Sequence, residues 1–432
     1  MTVMSFRNRS RRLTRRSFSA SRRTLPRIRW GLVVVALGAA VVLVAAFVAV
    51  QLLRSAPPAQ ATVVLPTTIA VKGAPPAFPS VNDVSTDVYA AGVGTLYSVN
   101  ADAEVPLASV AKLVAALVVL HDHPLQQGEE GPEITVTSAI ASQYPAQAAD
   151  KDSVVKVKAG EQLTELEALE AMLVPSADNI AQLLAQWNSG SLSAFVSAMN
   201  SEVSALGLRH THLADVSGLD PASVGSAADM IRLARAVMAN PVLAQVVAMP
   251  QVSLPLAGTV FNYDYALGRD GIDGIKTGST PQVGGNFVFS ATRTVDGEKV
   301  DLYGAVLGER GAAPLPSALD AAEGLSSTAF ASLSTVTLLP RGTEVLRVSA
   351  PWGDTAKGVA TVGAKALVCS GEKVTTRVSL AGADANGRLR SLSRGERLAI
   401  VSVQLPNKTV SVPVDASGSI RGPSMSWKLG RL

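Results

Sequence analysis

The chain is poor in the residues that make cross-links and metal cages. Its 432 residues include one cysteine, Cys369, which excludes an internal disulfide and a thiolate metal site. Set among short alternating apolar runs, that cysteine reads as a small buried hydrophobe. Four histidines occur as two His-x-His pairs, His121/His123 and His210/His212. The first pair closes an apolar helical run, where imidazole complements the helix C-terminus, so capping or surface roles are expected rather than metal ligation. No Gly-x-Ser-x-Gly elbow is present. The nearest approach, Gly324-Leu325-Ser326-Ser327-Thr328, ends in Thr inside an expected helix and gives a Ser-His-Asp triad no support. No internal repeat is visible.

Acidic residues are absent from positions 1–29, which hold ten arginines. The net charge of +4 belongs to that tail: without it, 28 Lys+Arg face 34 Asp+Glu, a balance of −6. A nucleic-acid partner is therefore not expected for the folded part. Positions 31–53 are apolar except Gln51. As a helix they extend roughly 34 Å, enough to cross a hydrocarbon layer of about 30 Å. Trp30 suits the membrane interface. Ten arginines precede the segment and only Arg54 closely follows it, which predicts a cytoplasmic N-terminus and an extracytoplasmic remainder. Ala59-Gln60-Ala61 resembles a signal-cleavage site, but the apolar run exceeds the usual length of about 7–15 residues, so an uncleaved signal anchor is expected.

Six prolines between 55 and 79 predict an extended spacer. The chain then divides into a basic cytoplasmic tail (1–30), a transmembrane anchor (31–53), a Pro-rich linker (54–79), a first domain (80–333) and a β-rich second domain (334–432). In the first domain, 87–96 and 97–100 read as strands. The run 109–121 reads as a helix apolar almost all round, with further helices at 163–173, 179–187 and 230–238. Strands follow at 271–275, 286–292 and 302–307, and a helix at 317–330 closes the unit. Beyond it, short runs at 335–339, 345–348, 361–368, 374–380, 398–403 and 409–414 suggest a small all-β unit.

Ser109-Val110-Ala111-Lys112 puts a hydroxyl and an amine one helical turn apart on one face. Serine is a poor nucleophile until a base takes its proton, and free lysine, with a pKa near 10.4, is a poor base. Burial among Leu107, Leu113, Val114, Leu117, Val118 and Val119 supplies the desolvation that makes such a lysine basic at neutral pH. The same spacing recurs at Ser153-Val154-Val155-Lys156, which reads as a polar strand, and at Ser370-Gly371-Glu372-Lys373, which reads as a turn. Both point to surface positions. Lys276-Thr277-Gly278 occurs once, after the glycine-bearing apolar run 271–275. There Lys276 supplies a fixed cation for a carboxylate, Thr277 can donate to the same group, and Gly278 leaves room for a substrate backbone. Glu165, Glu167 and Glu170 read as a solvated helix face; one of them serving as a deacylating base is the other option.

In this order, a Ser-x-x-Lys helix, a Ser-centred loop and a late Lys-Thr-Gly strand resemble the serine penicillin-recognising enzymes, in particular the low-molecular-weight D-alanyl-D-alanine carboxypeptidases. Pro106-Leu107-Ala108-Ser109-Val110-Ala111-Lys112-Leu113 is similar to that family's nucleophile segment, and Asp273-Gly274-Ile275-Lys276-Thr277-Gly278 to its third motif. Leu206-Gly207-Leu208, Thr211-His212 and Ser217-Gly218-Leu219-Asp220 are similar to its connecting segment. The resemblance covers about residues 80–330. It implies an α/β (α+β) serine β-lactamase/penicillin-binding-type domain, with an antiparallel sheet flanked by helices, joined to a small C-terminal all-β domain and an N-terminal transmembrane helix.

The resemblance further implies removal of the terminal D-alanine from peptidoglycan stem peptides through an acyl-enzyme on Ser109, covalent inhibition by β-lactam antibiotics, and no cofactor or metal. Ser109, Lys112 and Ser176 are implied as catalytic. Lys276, Thr277, Gly278, Ser279, Asp178 and Asn179 are implied as substrate-binding, with the N–H groups of Ser109 and Ser279 forming the oxyanion hole. The middle motif departs from the family pattern. Where the family has Ser-x-Asn, this chain reads Ser176-Ala177-Asp178-Asn179. A carboxylate cannot donate the hydrogen bond of an amide, and beside Lys112 it favours the ammonium, which opposes base catalysis. Either Asn179 turns in instead, or Asp178 pairs with Lys276. The departure raises a catalytically weak or inactive stem-peptide-binding protein as an alternative, and a β-lactamase is a further one.

Overall fold

A 24-residue apolar helix, Trp30–Leu53, opens the computed structural model, which describes residues 30–81, 84–381, 388–389 and 391–431. Leu32, Val35, Leu43 and most of their neighbours on this helix are exposed. Its length, composition and bare surface make it a candidate membrane span.

The chain does not leave this helix through a free spacer. Ala59–Val63 pairs antiparallel with Glu344–Ser349, and Thr68–Ala70 pairs with Lys373–Leu380. The proline-rich stretch expected as a linker thus supplies two strands to the C-terminal sheet. The physical reason is the spacing of its prolines: Pro57, Pro58, Pro66, Pro75, Pro76 and Pro79 flank the two strands and interrupt neither, so their backbone N–H groups remain free to pair. The resulting eight-stranded sheet runs, edge to edge, Arg388–Leu389, Ala59–Val63, Glu344–Ser349, Thr355–Ala360, Thr409–Ala416, Arg397–Gln404, Lys373–Leu380 and Thr68–Ala70. Val345, Val348, Val401, Val403, Val412 and Val414 are buried in its own core. Leu333–Leu339 and Ala364–Cys369 form a separate two-stranded pair beside it.

A five-stranded antiparallel sheet carries the other half, in the order Ile272–Thr280, Gly284–Val295, Glu298–Glu309, Ser85–Ala90 and Gly94–Val99. The expected run 87–96 is a hairpin, bent where Gly92 and Gly94 take positive φ. The helix Pro314–Ser332 packs on one face of this sheet over Phe287 and Phe289. Burying two such rings removes about 2–3 kcal/mol each of apolar exposure. On the other face lies a helical layer: Lys112–Asp122, Glu165–Leu173, Asp178–Ser189, Ala227–Ala239 and two helices not anticipated from the sequence, Ser138–Ala149 and Leu192–Ala205. Thr137 and Ser191 cap the N-termini of those two. Ile272–Thr280 is the edge strand, and the first turn of the nucleophile helix packs against it.

Candidate active site

Ser109 sits on a single 3-10 turn, Ala108–Ala111, that runs directly into the helix Lys112–Asp122. Leu113, Val114, Val118 and Val119 of this helix are buried, so the lysine at its first position is carried inside with them. Lys112 is 0% exposed. Its Nζ donates to Ser109 Oγ at 2.7 Å, to Ser176 Oγ at 3.4 Å and to the carbonyl of Ser217 at 3.4 Å. A fourth neighbour, Asp178 Oδ1, lies 2.6 Å away; the contact is ionic, since Oδ1 accepts no aligned hydrogen bond. At 2% exposure, Asp178 is as buried as its partner.

Local sequence explains why Asp178 and not Asn179 reaches the lysine. A capping box of Thr164 and Glu167 starts the helix Glu165–Leu173. The chain turns at Ser176, whose φ is 65°, and a new helix opens at Asp178. The Asp178 carboxylate in that first turn suits the positive end of the helix, and its N–H donates to the carbonyl of Ser153 at 2.7 Å. One residue on, the side chain has swung by about 100° around the helix. Asn179 accordingly donates to the carbonyl of Val155 at 2.8 Å and accepts from its N–H at 3.2 Å. The expectation that Asn179 binds substrate is corrected: both ends of its amide are used in holding the segment around Val155. The pairing of Asp178 with Lys276 is corrected too, because the ion pair is with Lys112. The segment at Ser153, expected as a strand, forms no regular structure and lies beside this helix start.

Two residues of the site, Ala108 (φ 48°) and Ser176, hold left-handed backbone without being glycine. Each such conformation costs on the order of 1–3 kcal/mol and persists only where the surroundings impose it. At Ala108 the surroundings are two glycines. A Cβ on Gly218 (φ +83°) would stand 1.8 Å from the Ala108 carbonyl oxygen, and one on Gly278 would stand 2.8 Å from the Leu107 oxygen and 3.0 Å from the Ser109 nitrogen. The room at Gly278 is therefore filled by the nucleophile turn, where the sequence suggested a substrate backbone. This contact sets the Lys-Thr-Gly strand against Ser109.

On that strand Lys276 and Thr277 are buried and Ser279 is exposed. Burial, followed by the like charge of Lys112, brings the Lys276 ammonium down to about 7, against the opposing pull of Asp178 and Asp264. Asp264 is 4% exposed; among the described residues its Oδ2 accepts no hydrogen bond, and burial raises its carboxyl to about 7.

The loop over the nucleophile turn is held by one carboxylate. Asp215 accepts from the N–H and Oγ of Ser217, from the N–H groups of Gly218 and Leu219, and from Ser223 Oγ at 2.6 Å. The loop so formed presents the Ser217 carbonyl to Lys112. Neither Asp215 nor Asn286, whose amide meets the carbonyls of Pro106 and Leu107, was singled out from sequence. Asn286 did leave a signal, as the one amide in the apolar run around Phe287-Val288-Phe289. The glutamates differ from expectation. Glu165 is fully buried, neither of its carboxylate oxygens is hydrogen-bonded among the described residues, and burial raises it to about 7. Glu167 is committed to the capping box. Glu170 is half-buried. Among the described hydrogen bonds none of the three glutamates reaches Ser109, Lys112 or Ser176, which leaves the deacylating-base option without geometric support.

The family model described as D-alanyl-D-alanine carboxypeptidase matches residues 83–311, just over half of the chain. The chain belongs to the D-alanyl-D-alanine carboxypeptidase family. Within it, the chain is 35% identical over 157 residues to a D-alanyl-D-alanine endopeptidase of Pseudomonas aeruginosa, covering 36% of this chain and 47% of that protein. It is 34% identical over 195 residues to the D-alanyl-D-alanine carboxypeptidase DacB2 of Mycobacterium tuberculosis, covering 44% and 62%. To the D-alanyl-D-alanine carboxypeptidase DacA of Escherichia coli it is 30% identical, covering 49% and 52%. The chain thus spans about half the length of these relatives. Its fold is similar to that of penicillin binding protein 5 from Haemophilus influenzae, with a TM-score of 0.57 at 23% identity over 79% of this chain and 98% of that one. A Streptomyces DD-transpeptidase superposes with a TM-score of 0.52 at 26% identity, over 59% and 99%. The family's expected architecture, helices around an antiparallel sheet, is the one found.

Proposed function

We propose that the chain is a serine-type D-alanyl-D-alanine carboxypeptidase that removes the terminal D-alanine of peptidoglycan stem peptides and is acylated by β-lactams. The observation that carries this reading is the meeting of Lys112 Nζ with Ser109 Oγ and Ser176 Oγ, while Gly278 packs the Lys-Thr-Gly strand on the nucleophile turn. Lys112, in its neutral form, takes the Ser109 proton, and Ser109 Oγ attacks the carbonyl carbon that precedes the last D-alanine. The N–H groups of Ser109 and Ser279 receive the oxyanion. Ser176 passes the proton to the leaving amine, and Lys276 with Thr277 holds the terminal carboxylate. Water then releases the shortened peptide from Ser109. Residues 80–333 form the catalytic unit and 334–432 a β unit completed by strands from the preceding linker. The helix Trp30–Leu53 is a single-pass anchor with its N-terminus in the cytoplasm.

Incubation of the full-length protein, in detergent, with a fluorescent penicillin tests the reading. Covalent label on the natural protein and none on Ser109→Ala is the expected result. An unlabelled natural protein, shown to be folded by circular dichroism, overturns it. One observation favours the weaker reading of a stem-peptide-binding protein with little turnover: Asp178 stands against the lysine that must lose its proton. Release of D-alanine from a D-alanyl-D-alanine peptide separates the two.

A further inference from the structure

Asn286 lies on the second strand of the five-stranded sheet and is 0% exposed. Among the described hydrogen bonds its amide makes none to Ser109, Lys112 or the Lys-Thr-Gly side chains. It is nevertheless fully used: Nδ2 donates to the carbonyl of Pro106 at 3.0 Å and to that of Leu107 at 2.8 Å, and Oδ1 accepts from the N–H of Gly308 at 2.7 Å. Two of these three partners belong to the residues that lead into Ala108 and Ser109. The third is available because of a β-bulge. Gly285 pairs with Glu309 and Asn286 pairs with Leu307, so Gly308 is the extra residue, with a φ of +87° and an N–H outside the regular ladder. In the opposite direction Asn286 pairs with Gly278 of the Lys-Thr-Gly strand.

One amide therefore ties three things together: the backbone before the nucleophile, the bulge of the central strand, and the register position of Gly278. The Pro106 and Leu107 carbonyls carry no other side-chain donor among the described hydrogen bonds, and the next residue is the left-handed Ala108. We infer that Asn286 is a positioning residue for Ser109: by fixing those two carbonyls it holds the left-handed turn and sets where the Ser109 hydroxyl and N–H stand relative to the Lys-Thr-Gly strand. This deepens the proposed acyl transfer and rests on it for its kinetic consequence, though not for its structural one. A shift of about 1 Å in a reacting group can cost on the order of a hundredfold in rate.

The test uses the full-length protein in detergent and two variants, Asn286→Ala and, as a stability control in the separate C-terminal sheet, Val401→Ala. Two quantities are read: the rate of penicillin acylation per folded molecule, separated from the dissociation constant of the reversible complex, and hydrogen exchange of the amides at 108–113. In Asn286→Ala the exchange of that segment should rise at least tenfold over that of the neighbouring strands. Acylation should slow by roughly a hundredfold, with reversible penicillin binding changed less than threefold. Val401→Ala should lower the melting temperature and leave both quantities alone. Unchanged exchange at 108–113 in Asn286→Ala, or unchanged acylation, overturns the inference. If even the natural protein is not acylated, the enzyme reading fails and the exchange result alone decides the role of Asn286. Should Asn286→Ala fail to fold, Asn286→Leu, which keeps the bulk of the side chain but has no donor for the two carbonyls, takes its place with the same outcomes.

Discussion

Asp178 Oδ1 lies 2.6 Å from Lys112 Nζ, as close as the Ser109 oxygen at 2.7 Å, and both members of the ion pair are shut away from water. A carboxylate at this distance attracts the positive end of the lysine and so competes with Ser109 for Nζ. The amide that the family carries at this position has the same shape and no charge. Asp178→Asn should therefore raise the acylation rate of Ser109 at pH 7 by about tenfold, the factor that corresponds to about 1.4 kcal/mol. It should also lower the melting temperature, because the variant removes one partner of a buried pair. Timed labelling with fluorescent penicillin measures the first and thermal denaturation the second. An unchanged or lower rate would mean that the ion pair does not restrain the lysine, and it would remove the motive for reading the protein as a weak enzyme.

Lys276 gives the site a pH dependence of definite sign. Its ordinary value of 10.5 is brought down to about 7, by burial first and by Lys112 second. Below about 7 the ammonium is present and can hold a substrate carboxylate; above it the neutral amine cannot do so unless binding brings a proton with it. Affinity for a peptide ending in free D-alanine should then be level up to about pH 7 and fall by close to tenfold per unit above it. The same peptide with a C-terminal amide should bind more weakly and show no such fall. Measuring KM for both between pH 6 and 9 decides the matter, and parallel profiles would remove Lys276 from carboxylate recognition.

The parts of this site legible in the sequence were those fixed by short spacing or by order along the chain. Ser109 and Lys112 share a face because three residues make nearly one helical turn, and Lys276-Thr277-Gly278 follows a run whose pattern demands a strand. What escaped depended on a boundary or on a distant partner. Whether Asp178 or Asn179 faces Lys112 turns on a helix starting at 178 rather than 179, and pattern reading does not fix a helix end to one residue. Glu165 belongs to a run of alternating acid and apolar residues that looks solvated, yet the segment 125–132 folds over it. The two strands inside the proline-rich stretch have partners far along the chain, Gln60 with Ser349 and Ile69 with Val374, and no local pattern announces a pairing of that span. Asn286 and Asp215 act through backbone carbonyls and N–H groups, which every residue has and no motif records.

The loop held by Asp215 and the glycine at its centre give a graded prediction. Asp215 takes hydrogen bonds from Ser217, Gly218, Leu219 and Ser223, and Ser217 in turn offers its carbonyl to Lys112. Because the loop is half-exposed, water can replace part of what Asp215→Ala removes, so the stability loss should be about 1–3 kcal/mol rather than the sum of the bonds. Acylation should fall by about tenfold as the Ser217 carbonyl loosens. Gly218→Ala acts on the same loop by collision. Its Cβ would enter the Ala108 carbonyl at 1.8 Å, and both are backbone, so the nucleophile turn itself must move. Gly278→Ala meets Leu107 and Ser109 at 2.8 Å and 3.0 Å, a milder overlap that a small retreat of the edge strand can relieve. Acylation should therefore fall furthest in Gly218→Ala, by more than a hundredfold, with Gly278→Ala between it and Asp215→Ala. Labelling rates for the three variants, each corrected for its folded fraction, would show the order; a Gly218→Ala protein that acylates as fast as Asp215→Ala would mean that the turn before Ser109 yields freely and is not locked by the loop above it.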